Sequence, residues 1–316
     1  MPTPQSAACV LAAALLAPAP PLTAAECTPV IDAHLHFYTP EDFWGPAPMF
    51  ASGRPSPASV EDHVTGTLRE MQRNQVVLGI ASASLGWNNP DPERLWHSFA
   101  AEHPDEVDLP ALAAAVASGR VRVFGEIAPE YQGISPADPR WEPLWTLAEE
   151  HGVPVAVHTG GGPPGTALRD RPAFRLEYGN PLLLQDVLVR HPKLKVSMMH
   201  AGLALYLRET LAMMHIYPEL YVDIGAATWV MPFMKEALAD FLRQAVARGY
   251  GDRILFGSDQ MVWPEAISLA VETIRSADYL TTEQKRAILF DNAVRFYGFD
   301  EQTVARLVAR ACPGVG

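Results

Sequence analysis

The chain has 316 residues, of which 48% are hydrophobic and 19% are charged, and its formal net charge is −12. That proportion of apolar side chains excludes a disordered protein, and the length is typical of one large α/β domain or two small ones. The chain has 36 acidic and 24 basic residues, and this acidic excess argues against a protein that binds the phosphates of nucleic acid. We therefore expect a soluble protein of the size of an enzyme.

The first 25 residues contain no charged side chain. Residues 7–16 read AACVLAAALL and are followed by prolines, with small residues immediately ahead of Glu26. This order is typical of a signal peptide, and the apolar run is too short for a transmembrane helix. We expect residues 1–25 to be removed on export and the protein to be periplasmic or secreted, without a membrane anchor. If the segment is only an extension rich in Ala and Pro, the protein is cytoplasmic.

Removal of residues 1–25 would leave two cysteines, Cys27 and Cys312, near opposite ends of the chain. Exported proteins often contain disulfides, and the two ends of a domain often lie close together. A Cys27–Cys312 disulfide and two free thiols are both compatible with the sequence.

Short apolar runs alternate with helical patterns from residue 29 onward. The runs typical of buried strands are residues 29–36, 75–82, 121–127, 153–158, 194–200, 220–225 and 253–258. The helical segments are residues 60–73, 139–150, 181–190, 203–215, 233–248, 264–277 and 282–297. This alternation predicts parallel βαβ units, and the length suits a single (β/α)8 TIM barrel over residues 26–316.

The barrel needs eight strands, but the apolar runs account for only seven. The missing third strand should lie between Trp87 and Arg120, where residues 104–109 (PDEVDL) are the candidate. We therefore expect the third βα unit to be reduced or irregular.

Side chains that bind metals or transfer protons stand at the ends of five predicted strands. His34 and His36 alternate along the first strand, so both project from the same face. The fourth, fifth, sixth and eighth strands end at Glu126, His158, His200 and Asp259, respectively. Because the carboxyl ends of the strands surround one mouth of a β/α barrel, these side chains should converge there. The set predicts a site for a divalent metal, with Zn²⁺ as the expected ion.

The order of these residues and the sequence around them resemble the amidohydrolase superfamily, in particular its amidohydrolase-related branch of metal-dependent barrels. The segments that carry the resemblance are IDAHLHF, FGEIAPEYQG, VPVAVHTGGG, NPLLLQDVLVRHPKLKVSMMHAG and RILFGSDQMVWP. The resemblance covers residues 30–297, apart from residues 87–120, which look shorter than the corresponding part of the family pattern. The resemblance implies that the metal ligands are His34, His36, His158 and Asp259.

Two further positions keep alternatives. The resemblance implies that His200 either holds or activates water beside one metal ion or binds a second ion. Glu126 stands where some members with two metal ions have a bridging carboxylate, but a buried hydrogen bond to an arginine would also satisfy it. No lysine stands at that strand end, so a carbamylated lysine as the bridge is excluded.

The predicted site suits hydrolysis. A Zn²⁺ ion held by histidines and a carboxylate lowers the pKa of a bound water to about 7. Asp259 can take a proton from that water and deliver it to a leaving group, and His200 can stabilise the developing oxyanion. We predict a hydrolase that attacks a carboxylic ester, lactone or amide with metal-activated water. The same branch of the family contains non-oxidative decarboxylases of aromatic or unsaturated carboxylic acids, so that activity is the alternative.

Two residues are candidates for contact with the substrate, which we expect to be a small molecule. Arg171 follows the Gly-rich loop after the fifth strand and could bind a carboxylate, although a solvated basic turn is the simpler interpretation. Trp263 follows the eighth strand and could either line the pocket or pack in the interior. The sequence does not identify the substrate, and it is compatible with a homo-oligomer.

Two acidic residues and the other histidines receive no catalytic role. Asp32 shares the facing of the histidine pair and could orient either a metal ligand or a neighbouring strand. Asp223 faces the mouth or the core according to the register, so it is left without a role. The histidines expected in helices or at helix ends are His63, His97, His103, His151, His191 and His215.

Overall fold

The strands follow one another around a single parallel sheet. The computed structural model describes residues 27–202 and 204–311, and its eight strands pair in chain order. They are β1 (Val30–His36), β2 (Val76–Ala83), β3 (Leu95–Ala101), β4 (Val121–Ile127), β5 (Val155–Val157), β6 (Val196–Met198), β7 (Tyr221–Asp223) and β8 (Ile254–Leu255). The predicted (β/α)8 TIM barrel is therefore confirmed.

Backbone hydrogen bonds join β1 to the residues that directly follow β8. Ala33 N–H donates to Phe256 O at 2.8 Å, and Asp259 N–H donates to His34 O at 2.8 Å. These bonds close the ring of strands at the level where His34 and Asp259 stand, so residues far apart in the sequence become neighbours.

The helices alternate with the strands along most of the chain. They are α1 (Val60–Arg73), α2 (Leu109–Ala117), α3 (Glu142–His151), α4 (Gln185–Arg190), α5 (Leu207–Ile216), α6 (Pro232–Ala247), α7 (Ala266–Arg275), α8 (Thr282–Arg286), α9 (Asn292–Tyr297) and α10 (Glu301–Ala311). Among the described residues, no helix is long and apolar enough to cross a bilayer.

The helix α1 shows how the sequence builds one of these elements. Ser59 precedes it and accepts a hydrogen bond from the backbone N–H of Asp62 at 3.1 Å, which satisfies one free donor at the helix start. His63, Thr67 and Met71, spaced four residues apart, are all buried. This spacing forms one stripe of an α-helix, and the stripe faces the barrel.

The predicted position of the third strand is wrong. Residues 104–109 do not form a strand, because Pro104–Glu106 make a 3₁₀ turn and α2 begins at Leu109. The third strand is β3, which pairs with β2 on one side and with β4 on the other. Its sequence, LWHSFAA, contains the aromatic side chains that favour strands, whereas PDEVDL contains Pro, Asp and Glu, which disfavour them. His97, expected on a helix, is a buried residue of this strand.

The misplacement has a structural cause between β2 and β3. These strands are joined by residues 84–94, which form turns and contain no helix. The irregularity that we expected around the third unit therefore includes a connection without a helix, together with register shifts between β3 and β4. Because we expected a helix between the second and third strands, we placed the third strand too far along the chain.

The ends of the described chain lie near the amino-terminal ends of β2 and β3. The predicted helix 282–297 is divided into α8, a π-helical turn and α9, and the unpredicted helix α10 follows it. Arg310 on α10 donates from Nη1 to Val77 O at 2.9 Å and to Glu93 O at 2.8 Å. Cys27 is buried and disulfide-bonded, with Gln75 Nε2 at 3.4 Å from its Sγ. The proposed signal peptide and Cys312 lie outside the described residues.

Candidate metal centre

The most compact ligand group joins β1 to the segment after β8. His34 Nε2 and His36 Nε2 lie 3.2 Å apart, and Asp259 Oδ1 lies 3.7 Å from the first and 3.0 Å from the second. The three residues offer ligand atoms within 4.8 Å of one another. Asp259 Oδ1 is buried and has no donor with hydrogen-bonding geometry among the described residues. Such an oxygen, beside two imidazole nitrogens, fits a divalent cation that takes N and O ligands.

Glu126 and His200 form a second ligand group with His34. Glu126 Oε1 lies 3.1 Å from His200 Nε2 and 3.8 Å from His34 Nε2, and its Oε2 lies 3.6 Å from His36 Nε2. The partners of this carboxylate are therefore histidines, not the arginine of the alternative interpretation.

His158 lies at the edge of the cluster. Its Nε2 is 4.0 Å from Glu126 Oε1, and its ring centroid is 4.6 Å from that of His200. It belongs to neither of the two compact ligand groups among the described residues. The structure thus brings all six predicted residues together but places this histidine farthest from the compact group of His34, His36 and Asp259.

Asp223, the last residue of β7, supports two of the ligands. Its Oδ2 lies 3.2 Å from His34 Nδ1, and its Oδ1 accepts hydrogen bonds from the backbone N–H groups of His200 and Gly225 at 3.0 and 2.8 Å. A carboxylate on Nδ1 holds the ring proton there and leaves the Nε2 lone pair for a metal ion. Its position at a strand end, in YVDIGA, was the available signal, but the register was needed to use it.

Glu130 does the same for His158, and sequence reasoning missed it. It is fully buried in the 3₁₀ turn after β4, and its carboxylate contacts His158 Nδ1. The only sequence signal was its spacing of four residues from Glu126 in GEIAPE, which does not by itself predict a contact with the next strand.

Asp32 forms hydrogen bonds with backbone groups rather than with a histidine ring. Its Oδ1 accepts hydrogen bonds from the backbone N–H groups of Ser258 at 2.9 Å and His34 at 3.1 Å. Burial raises its pKa to about 7, against the lowering effect of these bonds. Of the two interpretations of Asp32, the orientation of a neighbouring strand matches these contacts.

Several backbones at the site adopt the left-handed conformation that L-residues rarely take. The φ angles of His200, Ala226 and Asp259 are +62°, +54° and +49°. These residues follow β6, β7 and β8, where the chain turns sharply after a short strand. Strained backbone of this kind is concentrated at functional sites, where packing holds the side chains in place.

The electrostatic balance of the cluster favours a positive charge at its centre. Burial alone would lower the pKa of His34, but the carboxylates of Asp259, Asp223 and Glu126 outweigh burial and raise that pKa to about 10. Burial alone would raise the pKa values of Glu126 and Asp259, but neighbouring histidines hold both below their usual range. A concentration of buried carboxylates attracts either protons or a metal cation.

The two candidate substrate contacts have different environments. Arg171 is 43% exposed, pairs with the carboxylate of Glu102, and lies over the ring of Tyr131 at 5.6 Å. Tyr131 in turn lies 5.4 Å from the His158 ring, so Arg171 stands at the border of the site. Trp263 is buried and donates from Nε1 to Ala47 O at 2.8 Å. These contacts place Trp263 in the interior beneath the loop after β1, as the packing interpretation expects.

Several solved structures are similar to this chain. An uncharacterized TIM-barrel protein from Bordetella bronchiseptica is 20% identical, with a TM-score of 0.61 over 89% of this chain and 99% of that one. A probable 2-pyrone-4,6-dicarboxylic acid hydrolase from Acinetobacter baumannii is 13% identical, with a TM-score of 0.59 over 85% and 99%. The 5-carboxyvanillate decarboxylase of Sphingomonas paucimobilis is 14% identical, with a TM-score of 0.54 over 86% and 100%. At these identities the likeness shows the barrel fold.

No curated protein matches the sequence. The sequence profile of the Amidohydrolase family matches residues 31–299, which include all six residues of the candidate metal centre. The chain is therefore an enzyme of the amidohydrolase type and belongs to the amidohydrolase family.

Proposed function

We propose that this enzyme is a metal-dependent hydrolase that attacks a carboxylic ester, lactone or amide with water. The observation that carries the proposal is the convergence of ligand atoms from His34, His36 and Asp259 within 4.8 Å. These N and O donors suit Zn²⁺. When bound, such an ion polarises a carbonyl group and lowers the pKa of a coordinated water.

Asp259 is the proposed base. Burial alone raises its pKa, but His34, His36 and His200 outweigh burial and lower that pKa, so the carboxylate is ionised near neutral pH. An ionised carboxylate beside the reacting water can accept a proton and later donate it to the leaving group.

His200 is the proposed second catalytic residue. Its Nδ1 lies 3.2 Å from Gly225 O, so the proton on Nδ1 is donated to that carbonyl. In a neutral ring this leaves a lone pair on Nε2, which suits a ligand, whereas a protonated ring can donate from Nε2 to a developing oxyanion. The choice between these roles depends on how many metal ions the site holds.

The two ligand groups share His34, and this limits how they can be filled. One imidazole nitrogen binds one ion, so His34 cannot serve both groups at once. With one ion, the compact group of His34, His36 and Asp259 would hold it. With two, Glu126 and His200 would hold the second ion, and His158, whose Nε2 lies 4.0 Å from Glu126 Oε1, would complete that set. The metal content per chain, measured on protein purified without chelator, distinguishes one ion from two.

Decarboxylation of an aromatic or unsaturated carboxylic acid is the second candidate. The contact of 3.1 Å between His200 Nε2 and Glu126 Oε1 favours it, because a proton held there could be delivered to a substrate carbon. One of the similar structures is a 5-carboxyvanillate decarboxylase, and another is a probable 2-pyrone-4,6-dicarboxylic acid hydrolase.

Isotope labelling separates the two reactions. The purified enzyme is given a panel of esters, lactones, amides and aromatic acids in ¹⁸O-labelled water and, separately, in deuterated water. Hydrolysis places ¹⁸O in the product carboxylate, whereas decarboxylation releases CO₂ and places deuterium on carbon.

The variant Asp259→Asn should lower kcat by at least about 10²–10⁴-fold, the usual contribution of a positioned acid or base. Asp278→Asn, at an exposed position, is the matched control and should keep the wild-type rate. Full activity of Asp259→Asn would refute the proposed base, and CO₂ release without ¹⁸O incorporation would replace the hydrolase with the decarboxylase.

A further inference from the structure

The four histidines of the site are not held in the same way. In three of the rings an oxygen atom lies within 3.2 Å of Nδ1, and these pairs are His34 with Asp223, His158 with Glu130, and His200 with Gly225 O. Within residues 27–202 and 204–311, no hydrogen bond is formed to Nδ1 of His36, and its side chain is 17% exposed. The position of His36 must therefore be fixed by contacts other than a hydrogen bond to its Nδ1 atom.

Gln260 holds the backbone of His36 at two points. Its Oε1 accepts from His36 N–H at 2.9 Å, and its Nε2 donates to His36 O at 2.8 Å. The Gln260 side chain is fully buried. Its amide group bonds to the N–H and the C=O of His36, as the backbone of a neighbouring strand would. Tyr38 completes the support by stacking on the His36 ring at 6.3 Å with an angle of 13° between the planes.

We propose that Gln260 is a positioning residue that sets the distance between His36 and Asp259. Gln260 follows Asp259 directly in the sequence, so one short segment provides a ligand and also fixes the backbone of another ligand. The separation of 3.0 Å between His36 Nε2 and Asp259 Oδ1 then depends on a rigid amide contact rather than on the ring's own partners. This inference rests on the proposed metal site.

The test uses Co²⁺ as the probe with the full enzyme. Gln260→Met keeps the size of the side chain and removes both hydrogen bonds. We expect Co²⁺ to bind about 10–100-fold more weakly, the usual effect of losing a group that orients a ligand, and its visible absorption to change with the coordination geometry. Gln72→Met, at an exposed position on α1, is the matched control and should bind Co²⁺ like the wild type.

A double-mutant cycle shows whether Gln260 acts through His36. If it does, Gln260→Met should weaken Co²⁺ binding no further once His36→Ala is present. Additive losses would overturn the proposal, because they would mean a general effect on the fold. Gln260→Asn, whose shorter amide reaches only one of the two backbone groups, should give an intermediate affinity and serves if Gln260→Met does not fold.

The outcomes for this proposal and for the proposed function are distinct. Wild-type protein that binds no Co²⁺ would overturn both. Wild-type protein that binds Co²⁺, with Gln260→Met within twofold of it, would overturn only the role of Gln260.

Discussion

Asp223 and Glu130 support the candidate metal centre through the histidines they contact. Each places a buried carboxylate against the Nδ1 atom of a histidine, His34 and His158 respectively. A carboxylate in that position fixes the tautomer of the ring and directs the lone pair of Nε2 toward the centre. The chemistry of the site therefore depends on residues that are not themselves ligands.

We predict that Asp223→Asn weakens Zn²⁺ binding by about 10–100-fold. The asparagine keeps an acceptor for the backbone of His200, but its amide presents a donor to His34 Nδ1. That donor would displace the ring proton to Nε2, the nitrogen that the metal needs. Competition with a chelating indicator measures the dissociation constant.

Asp278→Asn again provides the control, and its affinity should equal that of the wild type. An unchanged dissociation constant in Asp223→Asn would show that the carboxylate does not determine the tautomer of His34. A loss with Asp278→Asn of the same size would point to net charge instead.

At the scale of single elements, strands were predictable where their sequence is apolar throughout. All eight residues of β2 are buried, and the predicted and observed bounds agree within one residue. The position of β3 was predicted wrongly because the connection between β2 and β3 lacks a helix. Nothing in the sequence of residues 84–94 indicates that the helix is absent. The short strands β5 to β8 end one to three residues before their predicted ends, because the chain turns sharply at the site.

Helix α1 provides a test of pH dependence at the element scale. His63 on α1 is buried, with its Nε2 at 2.9 Å from Met261 O, in the segment after β8. Burial lowers the pKa of His63 from 6.5 to about 4. Between these two pH values the unfolded chain binds a proton that the folded chain does not, so stability falls as the pH decreases from 6.5 to 4.

The size of this effect follows from the pKa difference. At about 1.4 kcal/mol per pKa unit, His63 accounts for a loss on the order of 3 kcal/mol across that range. In His63→Gln, whose amide can still donate to Met261 O, urea unfolding should show a shallower dependence on pH. His151→Gln, at an exposed position, should keep the wild-type slope. Identical slopes for His63→Gln and the wild type would contradict the prediction.

At the scale of the whole molecule, the barrel and the convergence of its ligands were predictable from one rule. Every predicted ligand stands at a carboxyl end of a parallel strand, and a barrel brings those ends together whatever the loops do. The supporting contacts of Gln260 and Glu130 were not predictable, since they depend on turn geometry and on the register between strands. The same reasoning explains why Trp263 could not be assigned to the pocket or the interior.

The disulfide is a prediction about the whole chain. Cys27 is disulfide-bonded, and we propose that Cys312 is its partner in an exported protein that begins at residue 26. Reduction should then lower the free energy of unfolding by about 2–4 kcal/mol, because it removes a constraint on the unfolded chain. Urea unfolding with and without reductant measures this difference. Cys312→Ser should match the reduced wild type, and a wild type insensitive to reductant would exclude a stabilising disulfide.

The attachment of α10 beside β2 has a practical consequence. Arg310 binds the backbone of Val77 and Glu93, and Gln75 contacts Cys27, so both ends of the described chain meet the amino-terminal ends of β2 and β3. The candidate ligands stand at the opposite ends of the strands. An affinity tag or a solid support joined directly to Cys27 or Ala311 would thus be attached on the side away from the mouth, and the immobilised enzyme should remain open to its substrate.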